Sequence, residues 1–127
     1  MKSGGFDEIT KGLSARAELN LEKFKTAIEK YDKLIPVKSY RIEKWLGISG
    51  SEVREMVHYL RVNSFPICSG NKGYYYGTHN DVEETINHLQ ERRNSIDQVI
   101  IGLRKSLIER IEQENLFGDK NEWTIRI

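Results

Sequence analysis

From Val82 onward the apolar residues step alternately by four and three: Val82, Ile86, Leu89, Ile96, Ile100, Leu103 and Leu107, with Arg93 in one slot. A 3.5-residue repeat held for about three and a half heptads is the signature of a helix with one continuous seam. Asn80 or Asp81 is the expected cap, and Asp81, Glu83 and Glu84 stand where the helix dipole favours negative charge. A helix from Asp81 to about Asn115 is roughly 50 Å long at 1.5 Å per residue. A chain of 127 residues provides one small domain, too little to cover such a helix. The stripe either folds back on an earlier helix or pairs with a second copy. An uncovered stripe would be a large apolar patch, so a homodimer is expected, with Ile86, Leu89, Ile96, Ile100, Leu103 and Leu107 at its seam. Val99, Ile108 and Ile111 widen the stripe beyond a narrow two-stranded seam.

What precedes this helix has helical spacing first and strand spacing afterwards. Residues 1–16 carry three glycines and no sustained period, so they read as a lead-in. From Ala17 to Leu34 the positions Leu21, Phe24, Ala27, Ile28, Tyr31 and Leu34 predict an amphipathic helix, stopped by Pro36. A short helix follows over 39–46, with Ser39 as N-cap and Gly47 past its end. The next begins near Gly50 and runs to Asn63, where Val53, Met56, Val57 and Leu60 form the inward stripe. Ser49 and Glu52 stand in the capping-box relation that fixes its start. The period then changes. Phe65–Ser69 and Tyr74–Thr78 flank Gly70-Asn71-Lys72-Gly73, whose glycines and Asn supply the positive φ angles of a tight hairpin. Pro66 confines its strand to an edge or a start. Cys68 reads as a half-buried hydrophobe, and at least one of Tyr74, Tyr75 and Tyr76 must pack inward. The fold class is mostly α with a small β-hairpin. The expected organisation is a lead-in over 1–16, a domain over 17–78, a long dimerisation helix over 79–116 and a tail over 117–127. That tail, with Trp123, Ile125 and Ile127 alternating, reads as a short strand.

Helix, short helix, glycine-containing turn, second helix and hairpin is the order of a winged helix-turn-helix domain. There the second helix of the pair enters the major groove and the first braces it against the backbone. Trp45, Leu46, Ile48, Val53, Val57 and Leu60 are the expected apolar contacts between the two helices. The stretches WLGISGSEVREMVHYLR and FPICSGNKGYYY resemble the helix-turn-helix module of the biotin-repressor type. A similar pattern occurs in small bacteriophage and prophage DNA-binding proteins, often with a long helix behind it. The resemblance covers residues 39–77, about a third of the chain, and implies DNA binding by residues 51–58 and the hairpin. The resemblance does not extend to the repressor's ligase domain, so no ligase chemistry is expected from it.

On that reading Ser51, Arg54, Glu55 and His58 face the groove, with Arg54 able to read guanine bidentately. Lys38, Ser39, Arg41 and Lys44 on the bracing helix meet phosphates, and Asn71 and Lys72 at the hairpin tip reach the phosphates or the minor groove. Charge is distributed accordingly but weakly: six basic residues stand against three acidic over 38–77, seven against ten over 78–127, and the net is +1. DNA affinity is therefore expected to be modest per protomer and salt-sensitive. No catalytic set is visible. His58, His79 and His88 lie at no metal-ligand spacing, and a lone Cys68 makes neither a disulfide nor a cysteine metal cage, so no metal or cofactor is expected. No apolar run approaches the ~20 residues that span a bilayer. The first residues, Met1-Lys2-Ser3-Gly4-Gly5, lack the apolar stretch of a secretory signal, so the expected compartment is the cytoplasm. The expected partners are double-stranded DNA and a second copy of the chain, in transcriptional control or phage DNA replication. The alternative is an adaptor that holds a partner protein on the same scaffold, which near-neutral charge and the acidic 78–127 segment keep open.

Overall fold

Ser14 begins the first helix by accepting from the Ala17 amide, and α1 runs over Ala15–Ile28. A computed structural model describes residues 12–117 of the chain. The remaining elements are α2 (Ser39–Leu46), α3 (Gly50–Val62), β1 (Ile67–Gly70), β2 (Gly73–Tyr76) and α4 (His79–Phe117). The described residues are therefore mostly helical, with one two-stranded antiparallel hairpin and a long helix over His79–Phe117. Its internal packing divides it into two units, one ending at Ile86 and one starting at Asn87.

In the first unit α3 is the centre. Its buried residues Val53, Met56, Val57, Tyr59 and Leu60 meet Leu21, Phe24 and Ile28 of α1 and Ile42 of α2 in one core. Ile67 closes that core from the hairpin. Among the described residues Phe24, Ile28, Met56, Val53, Ile67 and Cys68 are the largest side chains that are fully buried, so Cys68 is a core residue rather than a half-buried one. Burying each large apolar side chain stabilises by roughly 1.5–3 kcal/mol.

The helix expected to continue to Leu34 stops at Ile28. Asp32 intervenes: its carboxylate accepts from the amides of Leu34 and Ile35, holding the chain in a turn that competes with the helix. Leu34, which continued the apolar spacing, is 90% exposed. After this turn Val37 forms a single antiparallel bridge with Tyr74, exchanging hydrogen bonds of 2.9 and 2.7 Å. That bridge fastens the hairpin beside the start of α2. Lys38, not Ser39, is the N-cap of α2, and the Ser39 hydroxyl donates instead to Glu43 at 2.9 Å.

The hairpin pairs Ile67 with Tyr76 and Gly70 with Gly73, leaving Asn71 and Lys72 as its tip. Of the positive φ angles expected there, only that of Gly73 (φ +135°) is present; Gly70 and Asn71 are not left-handed. Tyr75 points inward, Tyr74 is half-buried, and the Tyr76 ring meets Phe65 edge-on at 5.3 Å. The start of α4 is capped by Thr78, rather than by Asn80 or Asp81. Thr78 Oγ1 accepts from the Asp81 amide and Asp81 accepts from the Thr78 amide, a reciprocal pair that also holds the Asp81 carboxyl below its ordinary range. Lys33 and Glu84 pair at 3.0 Å on the surface.

The end of α3 carries the one non-glycine residue with positive φ among those described, Ser64 at +72°. The Phe65 amide donates to the Leu60 carbonyl and the Ser64 amide to that of Arg61, which together make a Schellman close. The left-handed conformation costs an L-residue about 1–2 kcal/mol and glycine almost nothing. Part of that gain is offset by the greater freedom of an unfolded glycine, so Ser64→Gly is expected to stabilise the fold by about 0.5–1 kcal/mol. A higher urea midpoint with an unchanged slope would bear this out; an unchanged or lower midpoint would contradict it.

Candidate functional site

The turn between α2 and α3 is fixed from three directions. Gly47 takes the left-handed conformation at φ +68°, its amide donating to Glu43 at 2.8 Å. Ser49 and Glu52 form the expected capping box, Glu52 accepting from the Ser49 amide at 2.8 Å and donating its own amide to Ser49 Oγ at 3.1 Å. From α1, the Arg16 guanidinium reaches the Gly47 carbonyl and lies 3.9 Å from the Glu52 carboxylate. The bond from the Ser49 amide, helped by Arg16, holds the Glu52 carboxyl below its ordinary range. Three side chains from two helices therefore set the entry angle of α3. No sequence pattern marks Arg16 for this role, because a contact across 31 residues leaves no periodic trace.

Burying one face of α3 dictates what the other shows. Ser51, Arg54 and His58 are exposed, as their spacing predicts. Arg54 lies at the helix start. A Cβ built on Gly50 would stand 3.6 Å from Arg54 Nη1 and 3.1 Å from Glu43 Oε2, so the guanidinium and that carboxylate flank the same glycine. Glu55 departs from its expected place along the groove: it is half-buried and accepts from the Ser14 amide at 2.9 Å. Its carboxylate is occupied in positioning α1. The outer face of α3 is further bordered by Gly12 and Leu13, which with Arg54 and His58 line a depression of about 340 Å³.

The remaining predicted residues fall into two groups. Lys38, Ser39 and Asn71 line one depression of about 360 Å³ between the start of α2 and the hairpin. The Val37–Tyr74 bridge places them there. Lys72 is exposed at the tip and does not line that depression. Arg41 and Lys44 stand elsewhere, with Tyr40 and Trp45, around an open hollow of about 550 Å³ on the outer side of α2. Trp45, expected to pack between the two helices, is 55% exposed, while Leu46 is half-buried and Ile48 buried. It instead borders an apolar groove of about 430 Å³ between α1 and α2 that Phe24, Tyr31 and Ile42 also line.

On α4 every expected seam residue, Ile86, Leu89, Ile96, Ile100, Leu103 and Leu107, is exposed. Among the described residues no helix is long and apolar enough to cross a membrane. The expected strand over 122–127 and the lead-in up to Lys11 lie outside the described residues. Comparison of the chain with protein-family models, with curated protein sequences and with solved structures returned no match.

Proposed function

We propose that the chain is a dimeric double-stranded-DNA-binding protein of the winged helix-turn-helix kind. In this reading α3 is the groove-entering helix, the hairpin is the wing, and α4 joins two copies. The observation that carries it is the layout of the α3 outer face. An exposed Ser51, Arg54 and His58 occupy a helix whose angle is locked by Arg16, Gly47 and the Ser49–Glu52 box. Lys38, Ser39 and Asn71 share the depression between α2 and the wing, a suitable place for a phosphate. Glu55 drops out of the contact set because its carboxylate holds the Ser14 amide. A dimer presents two such helices to a pseudo-palindromic site, with half-sites about one helical turn apart. Action in transcriptional control or phage DNA replication, in the cytoplasm and without catalysis, fits this reading.

Arg54→Ala tests the interface. Arg54 is exposed and its loss uncovers no core, so the melting temperature should hold while specific binding weakens by about 1–3 kcal/mol. The measurement is titration of wild type and variant on a site selected from random DNA. Equal affinity would remove Arg54 from the interface.

A partner-protein adaptor is favoured by one observation, the exposed Trp45 at the mouth of the apolar α1–α2 groove. The two readings differ in salt. Phosphate neutralisation makes retention on DNA fall steeply with ionic strength, and an adaptor shows no such slope.

A further inference from the structure

The part of α4 in the second unit exposes more apolar surface than one seam uses. Turning about 100° per residue from Ile100 at zero, Ile96, Leu103 and Leu107 fall between about 300° and 340°. Ile101 and Ile108 fall on a different line, at about 80° to 100°. They are 64% and 56% exposed. Between the two lines, at about 40° to 60°, stand Asp97 and Arg104, two turns apart, opposite in charge and both exposed.

We propose that Ile101, Ile108, Asp97 and Arg104 form a second self-association face, which joins two seam-paired dimers, antiparallel, into a tetramer. The proposal rests on the seam dimer of the reading above and adds a neighbouring surface, whose edge toward the seam is formed by Ile100 and Arg93. Charge order fixes the direction. With a two-fold axis between Ile100 and Ile101, Asp97 of one copy meets Arg104 of the other, and the reciprocal pair forms on the far side of the axis. The same register sets Ile101 against Ile100 twice, an apolar centre between two ion pairs. It also lays Ile108 along the aliphatic stem of Arg93. A parallel partner in register would set Asp97 on Asp97 and Arg104 on Arg104. A parallel partner shifted by one heptad would make one pair and leave the other two charges unmet. An apolar arc this wide suits a helix with two neighbours in a four-helix bundle, not one in a two-stranded coil.

Sedimentation equilibrium of the full chain across micromolar concentrations provides the test. Wild type should be a tetramer. Ile101→Glu/Ile108→Glu should be a dimer, and adding Leu103→Asp to it should give a monomer. Asp97→Arg should weaken tetramer formation by at least about tenfold through like charge on the facing copy, and the swap Asp97→Arg/Arg104→Asp should restore it. If the glutamate pair loses helix by circular dichroism, Ile101→Ala/Ile108→Ala removes the same area without charge and should still give a dimer. A wild type no larger than a dimer overturns the second face; if Leu103→Asp then yields a monomer, the seam stands and this face alone fails. A tetramer that the swap does not restore overturns the antiparallel pairing. A wild-type monomer removes the seam as well.

Discussion

Gly73→Ala is expected to cost at least about 3 kcal/mol of folding stability, among the larger effects of a single methyl group. Two causes act at one atom. Gly73 sits at φ +135°, a conformation that L side chains rarely adopt. A Cβ there would lie 2.4 Å from the Val37 carbonyl oxygen and 2.5 Å from its carbon, both backbone atoms that no rotamer change can move. Relief requires opening the Val37–Tyr74 bridge, which fastens the hairpin to the start of α2. Gly70, its cross-strand partner, is an internal control. It has open space around its Cβ position and no positive φ. Gly70→Ala should therefore stay within about 0.5 kcal/mol of wild type. Urea denaturation of the two variants decides the matter, and similar midpoints would mean that the bridge is not a fixed part of the fold. Because Lys38, Ser39 and Asn71 depend on that bridge for their common depression, DNA affinity should fall with Gly73→Ala even where the protein remains folded.

What was legible in the sequence was whatever repeats. The stripe Val53, Met56, Val57 and Leu60 and the Ser49–Glu52 box place α3 within a residue of its observed start, and the four-three alternation gives most of α4. The period misleads where one side chain overrides it. Asp32 ends α1 early by bonding to the amides of Leu34 and Ile35, although the apolar spacing runs on through Leu34. Thr78 caps α4 because Asp81, three residues later, can reach back to it. That signal was available, but Asn80 and Asp81 are stronger cap residues on type alone. Trp45 shows that an apolar residue type on a short helix does not fix burial, since that helix must also present an outer face. Single-residue features such as the Val37 bridge, the Arg16 clamp and the Ser14–Glu55 bond carry no pattern, so only the folded arrangement reveals them. They matter to the candidate site because the angle of α3 and the place of the hairpin rest on them.

Leu103→Asp is expected to halve the mass of the assembly while leaving the protomer folded. Leu103 is 65% exposed on α4, so its replacement removes little packing within the protomer. In a paired seam the change acts twice, once on each copy. Each loses roughly 1.5–3 kcal/mol of apolar burial. Each also sets a carboxylate in an apolar seam without a partner, a further penalty of several kcal/mol per ion before the seam opens to water. A loss beyond about 4 kcal/mol is a weakening of about a thousandfold, enough to dissociate the pair at micromolar concentration. Light scattering should show the mass fall by half, and circular dichroism should show α4 still helical. Binding to DNA with two half-sites should drop to that of a single half-site, since the two protomers of a seam pair no longer meet the duplex together. An unchanged mass would mean that Leu103 is not in the seam, and the stripe would need another partner. Unfolding of the whole chain would mean that this part of α4 supports the first unit, and the division of the chain at Ile86 would not describe how it folds.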